Sequence, residues 1–311
     1  MNTNFMEEEL FCHFIKKFDL SQIGITPKTR SIEDLERDYN NWLKESRVAL
    51  LDLDSICYSI FHPNKVLDEQ GNPKRTEDGK KFIYQDKTPQ EVLDSADYLM
   101  NEILTSCNCT HYVAIIKGKN TINYKLAINP DYKQDRNTEQ PKYWEFTKEY
   151  LKLKWGATAI DLIETDDLIR ITNLKLPNSF IVAIDSDLLG LSGTHFNWRT
   201  KEWVTTTKEE EHLNFWTQMI TGNHNNIQGI PSRGEKYAQK IFDQEILTSD
   251  YDHSIIVFKE YIAKFGVDKG IKEFYKNYIS IKTLDSMDIF KMPKINKFKK
   301  KEEEQVSDIK F

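Results

Sequence analysis

Val48-Ala-Leu-Leu-Asp-Leu-Asp54 is the stretch whose reading decides the fold. Its apolar residues do not alternate with polar ones, which marks a strand buried on both faces and hence a parallel sheet covered by helices. Its acids come last, at the carboxyl edge where ligands of such sheets sit. Working outward, the signature returns at Ile181-Val-Ala-Ile-Asp-Ser-Asp187 and at Ile160-Asp-Leu-Ile followed by Glu164-Thr-Asp-Asp167. Strands are expected over 111–116, 157–162 and 180–185, with helical periodicity over 91–105, 139–155 and 166–173. Strands alternating with helices predict an α/β fold with a central, mainly parallel sheet flanked by helices.

The flanks read differently. Residues 1–46 form a helical N-terminal extension, with Phe11, Phe14, Ile15 and Phe18 at helical spacing and Ser31 opening a second helix in capping-box fashion. Residues 63–88, with Gly71, Pro73 and Gly79, read as a long loop or hairpin. After the last strand come a tryptophan-rich hairpin, Phe196 to Trp203, and a helix over 208–220. The expected organisation is an extension (1–46), an α/β core (47–221), a helical portion (222–298) and a charged tail (299–311).

Composition narrows the function classes. The 311 residues are 39% hydrophobic and 30% charged, too apolar for a disordered chain. No apolar run reaches the roughly 20 residues of a membrane-spanning helix. Glu7, Glu8 and Glu9 stand where a signal peptide would be basic and apolar, so the expected location is cytoplasmic, the host cytoplasm for a phage-encoded chain. Cys12, Cys57, Cys107 and Cys109 lack the spacing of a zinc site and read as reduced thiols. The net charge of −6 is unevenly spread: residues 1–224 carry 27 basic and 35 acidic side chains, residues 225–301 carry 15 and 10.

Three acidic clusters stand at expected strand ends: Asp52 with Asp54, Glu164 with Asp166 and Asp167, and Asp185 with Asp187. Any one alone reads as a helix N-cap. Three on one sheet edge would repel one another unless cations neutralise them, and oxygen ligands without His or Cys select magnesium or manganese. Such ions activate water and offset charge developing on a phosphate. Lys133 and Arg136 are three residues apart, one turn if a helix begins there, and could face that phosphate together. Carboxylates in front and a basic half behind suit a metal-dependent nuclease.

Taken in order, these segments resemble the 5'-nuclease superfamily of flap endonucleases and 5'-3' exonucleases, most closely its phage exonuclease branch. Leu50-Leu-Asp-Leu-Asp-Ser-Ile-Cys-Tyr58 resembles the family's first strand, and Pro130-Asp-Tyr-Lys-Gln-Asp-Arg136 its Tyr-Lys-x-x-Arg gateway helix. Glu164-Thr-Asp-Asp167 is similar to its Glu-Ala-Asp-Asp, and Asp185-Ser-Asp-Leu188 to its Asp-x-Asp-Leu. The resemblance spans residues 48 to about 245. It implies Asp52, Glu164, Asp166 and Asp185 as ligands of a first Mg2+ or Mn2+, with Asp54, Asp167 and Asp187 nearby, Asp52 and Asp185 central to catalysis, and Lys133 and Arg136 steering the scissile phosphate. Where many members carry a further Asp, this chain has Gly118.

Gly222-Asn-His-Asn-Asn-Ile-Gln-Gly-Ile-Pro-Ser-Arg-Gly-Glu-Lys-Tyr-Ala238 is similar to the start of the family's helix-turn-helix duplex-binding element. The likeness implies Gly229, Ser232, Arg233, Gly234 and Lys236 as DNA-binding residues, with Gly229 and Gly234 permitting a tight turn, and allows a monovalent cation there. Two family aspartates of a second metal site appear as Asn223 and Asn225, a weakened site, with His224 read as a loop histidine. The implied partners are DNA with a 5' flap, nick or free end, an RNA-DNA hybrid, and no membrane. The terminal Gln305 to Phe311 is a candidate sliding-clamp peptide. A catalytically weakened junction-binding protein on the same scaffold is the alternative reading.

Overall fold

The computed structural model describes residues 19–26, 30–135, 140–223, 225–244, 249–287 and 291–300. The expected helix spacing of Phe11 to Phe18, together with Cys12, Arg136, His224 and the tail beyond 300, falls outside them.

β1 (Val48–Asp52) has every residue buried and lies inside a six-stranded sheet. Successive side chains of a strand point to opposite faces. Ala49 and Leu51 join one apolar core and Val48 and Leu50 the other, so the unbroken apolar run serves two cores at once. β1 pairs in parallel with β2 (His111–Ile115) on one side and β3 (Ser179–Ala183) on the other. β4 (Gly193–Asn197) continues the parallel set beside β3, and β5 (Glu202–Thr206) returns antiparallel, Phe196 opposite Trp203. β6 (Asn296–Lys297) closes the far edge antiparallel to β2.

Helices cover both faces. α2 (Leu53–Ile60), α3 (Pro89–Ser106) and α5 (Trp144–Trp155) pack Ile56, Ile60, Met100, Ile103, Leu151 and Trp155 into the first core. α1 (Ile32–Glu45) and α6 (Thr165–Lys175) place Leu35, Tyr39, Leu168, Ile169 and Ile171 in the second. α3 starts on a full capping box between Thr88 and Glu91, with Pro89 at the first helical position.

A third apolar cluster is formed by α8 (Lys208–Thr221), α9 (Glu235–Gln244), α10 (Asp250–Phe265) and α11 (Val267–Ile281), around Trp216, Ile220, Val257, Tyr261 and Phe274. Asn277 ties this cluster to the loop before α9: its side-chain amide donates to Gln228 O at 2.8 Å and to Tyr261 Oη at 2.7 Å.

Two expectations need correction. Residues 157–162 are not a strand: the segment makes one parallel bridge, Thr158 to Ile115, before Leu162 adopts a left-handed φ of 68°. Residues 130–135 are successive turns rather than a helix start, and Lys133 itself sits at φ 57°. The 63–88 segment folds as expected for a hairpin, with Asn64–Lys65 paired antiparallel to Tyr84–Gln85. Cys57, Cys107 and Cys109 are buried free thiols. Among the described residues no helix is long and apolar enough to cross a membrane.

Candidate active site

Two helices start from the carboxyl ends of parallel strands β1 and β3, a third follows the turn at 161–163, and an acid stands at the start of each. Asp52 ends β1 and caps α2, accepting from Asp54 N at 3.1 Å. Asp185, two residues beyond β3, caps the short α7 (Ser186–Leu189) by accepting from Asp187 N at 2.9 Å. Glu164 is the N-cap residue of α6 but makes no side-chain capping bond. Capping and clustering are therefore not rival explanations: the caps put the acids on one edge, and the helix dipoles of α2 and α6 favour negative charge there.

Electrostatics shows which acids face each other. Burial, then the charge of Asp54 and that of Asp185, lifts Asp52 from the usual carboxylate range to about 7. Asp166 is raised well above its ordinary value by burial and then by the charge of Asp52, with Lys133 opposing. Burial raises Asp54 as well, although it accepts from Lys117 N and Thr165 Oγ1, both at 2.9 Å. Asp52, Asp54, Asp166 and Asp185 thus form one mutually repelling group.

Glu164 is held differently. Burial would raise it, but the ammonium groups of Lys125 and Lys133 outweigh burial and hold it below its ordinary value. Lys125, on the short α4 (Asn123–Leu126), places Nζ 2.7 Å from Oε2, Lys133 Nζ lies 2.5 Å from Oε1, and Tyr132 Oη donates to the same carboxylate at 3.1 Å. Asp167 turns the other way, accepting from Tyr124 Oη at 2.5 Å and Leu284 N at 2.8 Å. Successive residues on a helix are about 100° apart, and here Asp166 and Asp167 have different neighbours.

Lys133 is also the link to the Asn-rich turn. Its N–H donates to Asn225 O at 3.0 Å. Asn225 N–H donates to Asn223 Oδ1 at 2.9 Å, and the Asn225 side-chain amide to Asp187 Oδ2 at 3.4 Å. The sequence-derived residues Asp187, Asn225 and Lys133 are therefore neighbours. Gly118 occupies its position for a steric reason: a Cβ there would lie 2.1 Å from Ile160 O, so an acid cannot be placed without moving the backbone.

At the turn before α9, Gly229 is required, since a Cβ would meet Ile220 O at 2.2 Å and Gly222 N at 2.3 Å. Gly234 is not: its Cβ position is open and its φ is ordinary, while Ser232 takes the left-handed conformation at φ 69°. Arg233 lays its guanidinium 3.9 Å from the Tyr237 ring centroid, and Lys236 is exposed on the first turn of α9. Lys125 and Tyr124 had no sequence signal beyond lying in a polar segment, and Tyr132 stood in the Tyr-Lys-x-x-Arg likeness with no role of its own assigned.

The chain is similar, at low identity, to solved structures of nucleases. A 5'-exonuclease of bacteriophage T5 matches with a TM-score of 0.46 at 12% identity, covering 76% of this chain and 100% of that one. The bacteriophage T5 flap endonuclease in a pseudo-enzyme-product complex with DNA and metal ions matches at 0.45 and 15%, covering 76% and 99%. Flap endonuclease-1 from Methanococcus jannaschii matches at 0.34 and 14%, covering 76% and 93%. No protein-family model and no curated protein sequence matches the chain.

As they stand, no three His, Cys, Asp or Glu side chains among the described residues are drawn together closely enough to hold a metal ion. The donor set nonetheless fits a hard divalent cation in chemistry, being all oxygen and rich in uncompensated repulsion. A stability prediction follows from that repulsion. Carboxylates raised in the folded state stabilise it when protonated, and that contribution is lost as pH rises through their folded values. In EDTA the melting temperature of the wild type relative to that of Asp52→Asn should therefore climb by about 2 °C between pH 8 and pH 6, across the value of about 7 for Asp52, the comparison cancelling the opposite contribution of half-buried His111 and buried His195. A difference that is flat or falling over this window would mean that Asp52 is not held among like charges.

Proposed function

We propose that the chain is a divalent-metal-dependent nuclease that hydrolyses DNA phosphodiesters near 5' ends, acting on a flap, a nick or the 5' terminus of an RNA-DNA hybrid. The observation that carries this reading is the grouping of Asp52 at the end of β1, Asp185 just beyond β3 and Asp166 in the first turn of α6, beside Lys133 and the Asn223–Asn225 turn. The four sequence motifs in register support it from an independent direction.

Asp52, Asp166 and Asp185 would hold the ion, Asp187 and Asn225 its neighbour position, and Lys133 would turn from Glu164 toward a phosphate oxygen. When bound, the ion activates water and offsets charge on the phosphate. The turn carrying Gly229, Ser232, Arg233 and Lys236 would grip the duplex backbone without reading bases, so affinity should be strongly salt-dependent. The test is cleavage of a labelled 5'-flap duplex in Mg2+, in Mn2+ and in EDTA. Cleavage undiminished in EDTA discards the reading.

A non-catalytic DNA-junction binder on this scaffold is the second reading, favoured by Asn223, Asn225 and Gly118 where the family resemblance implies acids. It predicts tight flap binding with no cleavage in any metal. The double change Asn223→Asp, Asn225→Asp separates the two. An acid at 225 would face Asp187, whose Oδ2 is now 3.4 Å from the Asn225 amide. Without metal the double variant should melt lower than the wild type; with metal it should reach half-maximal cleavage at a Mg2+ concentration lowered several-fold. Unchanged melting and unchanged metal dependence together would show that this turn is no part of a cation site.

A further inference from the structure

The sequence resemblance assigns Glu164 to the metal, yet its carboxylate is already occupied on both oxygens. Lys125 is 4% exposed, and its ammonium lies 2.7 Å from Glu164 Oε2. A lysine this buried is rare without a fixed counter-charge. Its Nζ lies 5.6 Å from the ring of Tyr124 and 5.3 Å from that of Tyr132. Those rings are themselves anchored, Tyr124 on Asp167 and Tyr132 on Glu164. Lys133, on the other oxygen, differs: its side chain is more open to solvent, its backbone is in the left-handed region, and it hangs from the Asn225 carbonyl.

We propose that Lys125 is a resident cation of the acid cluster, a permanent positive charge for which Glu164 is the counter-ion, so that the exchangeable metal is held through Asp52, Asp166 and Asp185 rather than through Glu164. Lys125 is thus a positioning residue. It fixes Glu164 and sets how much additional positive charge the remaining acids accept, while Lys133 is the lysine left free to exchange Glu164 for a phosphate. This inference rests on the proposed metal-dependent reading.

The experiment is Mn2+ binding to the full-length protein without DNA, followed by electron paramagnetic resonance, a readout independent of cleavage. Lys125→Met removes a positive charge beside the site and should tighten Mn2+ about 10-fold, whereas Lys125→Arg should bind as the wild type does. A residue that only packs the site would weaken binding when changed to Met. Because Lys125→Met leaves the buried Glu164 with Lys133 as its remaining counter-charge and so strains the fold, the neutral double change Lys125→Met, Glu164→Gln is the decisive second variant. It should retain the wild-type Mn2+ affinity if the pair is a self-neutralised unit. A loss of about 10-fold or more in the double variant identifies Glu164 as a metal ligand and overturns the inference. Absence of Mn2+ binding to the wild type overturns the metal-dependent reading itself, a result distinct from either variant's.

Discussion

Asp185→Ala should lower the rate of flap cleavage by about 10³-fold or more while leaving duplex affinity within a factor of about two, the scale expected when a charged group of a transition-state site is removed. Asp185 is one of the acids whose charge is felt at Asp52, and it stands on the loop that leaves β3 at the sheet edge. Its second task is the cap on Asp187 N, and losing such a cap costs about 1 kcal/mol. Relief of repulsion toward Asp52 works in the opposite sense in the absence of metal. The variant should therefore fold, and its circular dichroism and melting in EDTA provide the control. Wild-type cleavage by Asp185→Ala would remove the acid cluster from the chemistry. Loss of duplex binding along with cleavage would make Asp185 a structural acid only.

The largest loss of stability should come from Arg170→Met. Arg170 is buried in α6, where Nη2 donates to both oxygens of Glu211 at 2.9 and 3.0 Å and Nε to Asp285 Oδ1 at 2.9 Å. One side chain thereby joins α6, α8 and the segment after α11. Removing it strands Glu211, itself buried and otherwise receiving Ser192 N at 2.9 Å. Breaking a buried pair from one side costs about 3–5 kcal/mol, which for a chain of this size lowers the melting temperature by roughly 5–8 °C. Replacing both partners, Arg170→Met with Glu211→Leu, should recover much of that loss, because no charge is then left unpaired. Equal melting of the single and double variants would refute the ion pair as the cause.

Much of the fold was legible because buried parallel strands leave a crude trace. Leu50 and Leu51 serve opposite cores, so β1 and β3 appear as unbroken apolar runs that end in acids. The same rule misled at 157–162, where the run is apolar enough for a strand but the chain turns away after Thr158, with Gly118 packed against the Ile160 carbonyl. The strand that does occupy that side, Asn296–Lys297, is two polar residues long and gives no pattern to find. At the site, the acids at strand ends were readable, whereas the orientation of adjacent acids was not. Asp166 and Asp167 look equivalent in sequence, and only helical geometry sends one toward Asp52 and the other to Tyr124 and Leu284. Lys125 was invisible because nothing local distinguishes a lysine that will be buried from one that will not.

The late position of α6's partners has a consequence for the chain as it emerges from the ribosome. Arg170 waits for Asp285 and Asp167 for Leu284 N, contacts separated by 115 and 117 residues, and the exposed edge of β2 stays open until Asn296 arrives. At roughly 5–20 residues per second, the sheet and its acid-bearing helix exist for several seconds without the segments that fasten them. During that interval the β2 edge is free to pair with another nascent chain, and the acids have no fixed frame. Translation therefore orders the assembly: the fixed frame of the acid cluster should appear only after the last of these long-range contacts has formed, late in synthesis rather than when the sheet first collapses.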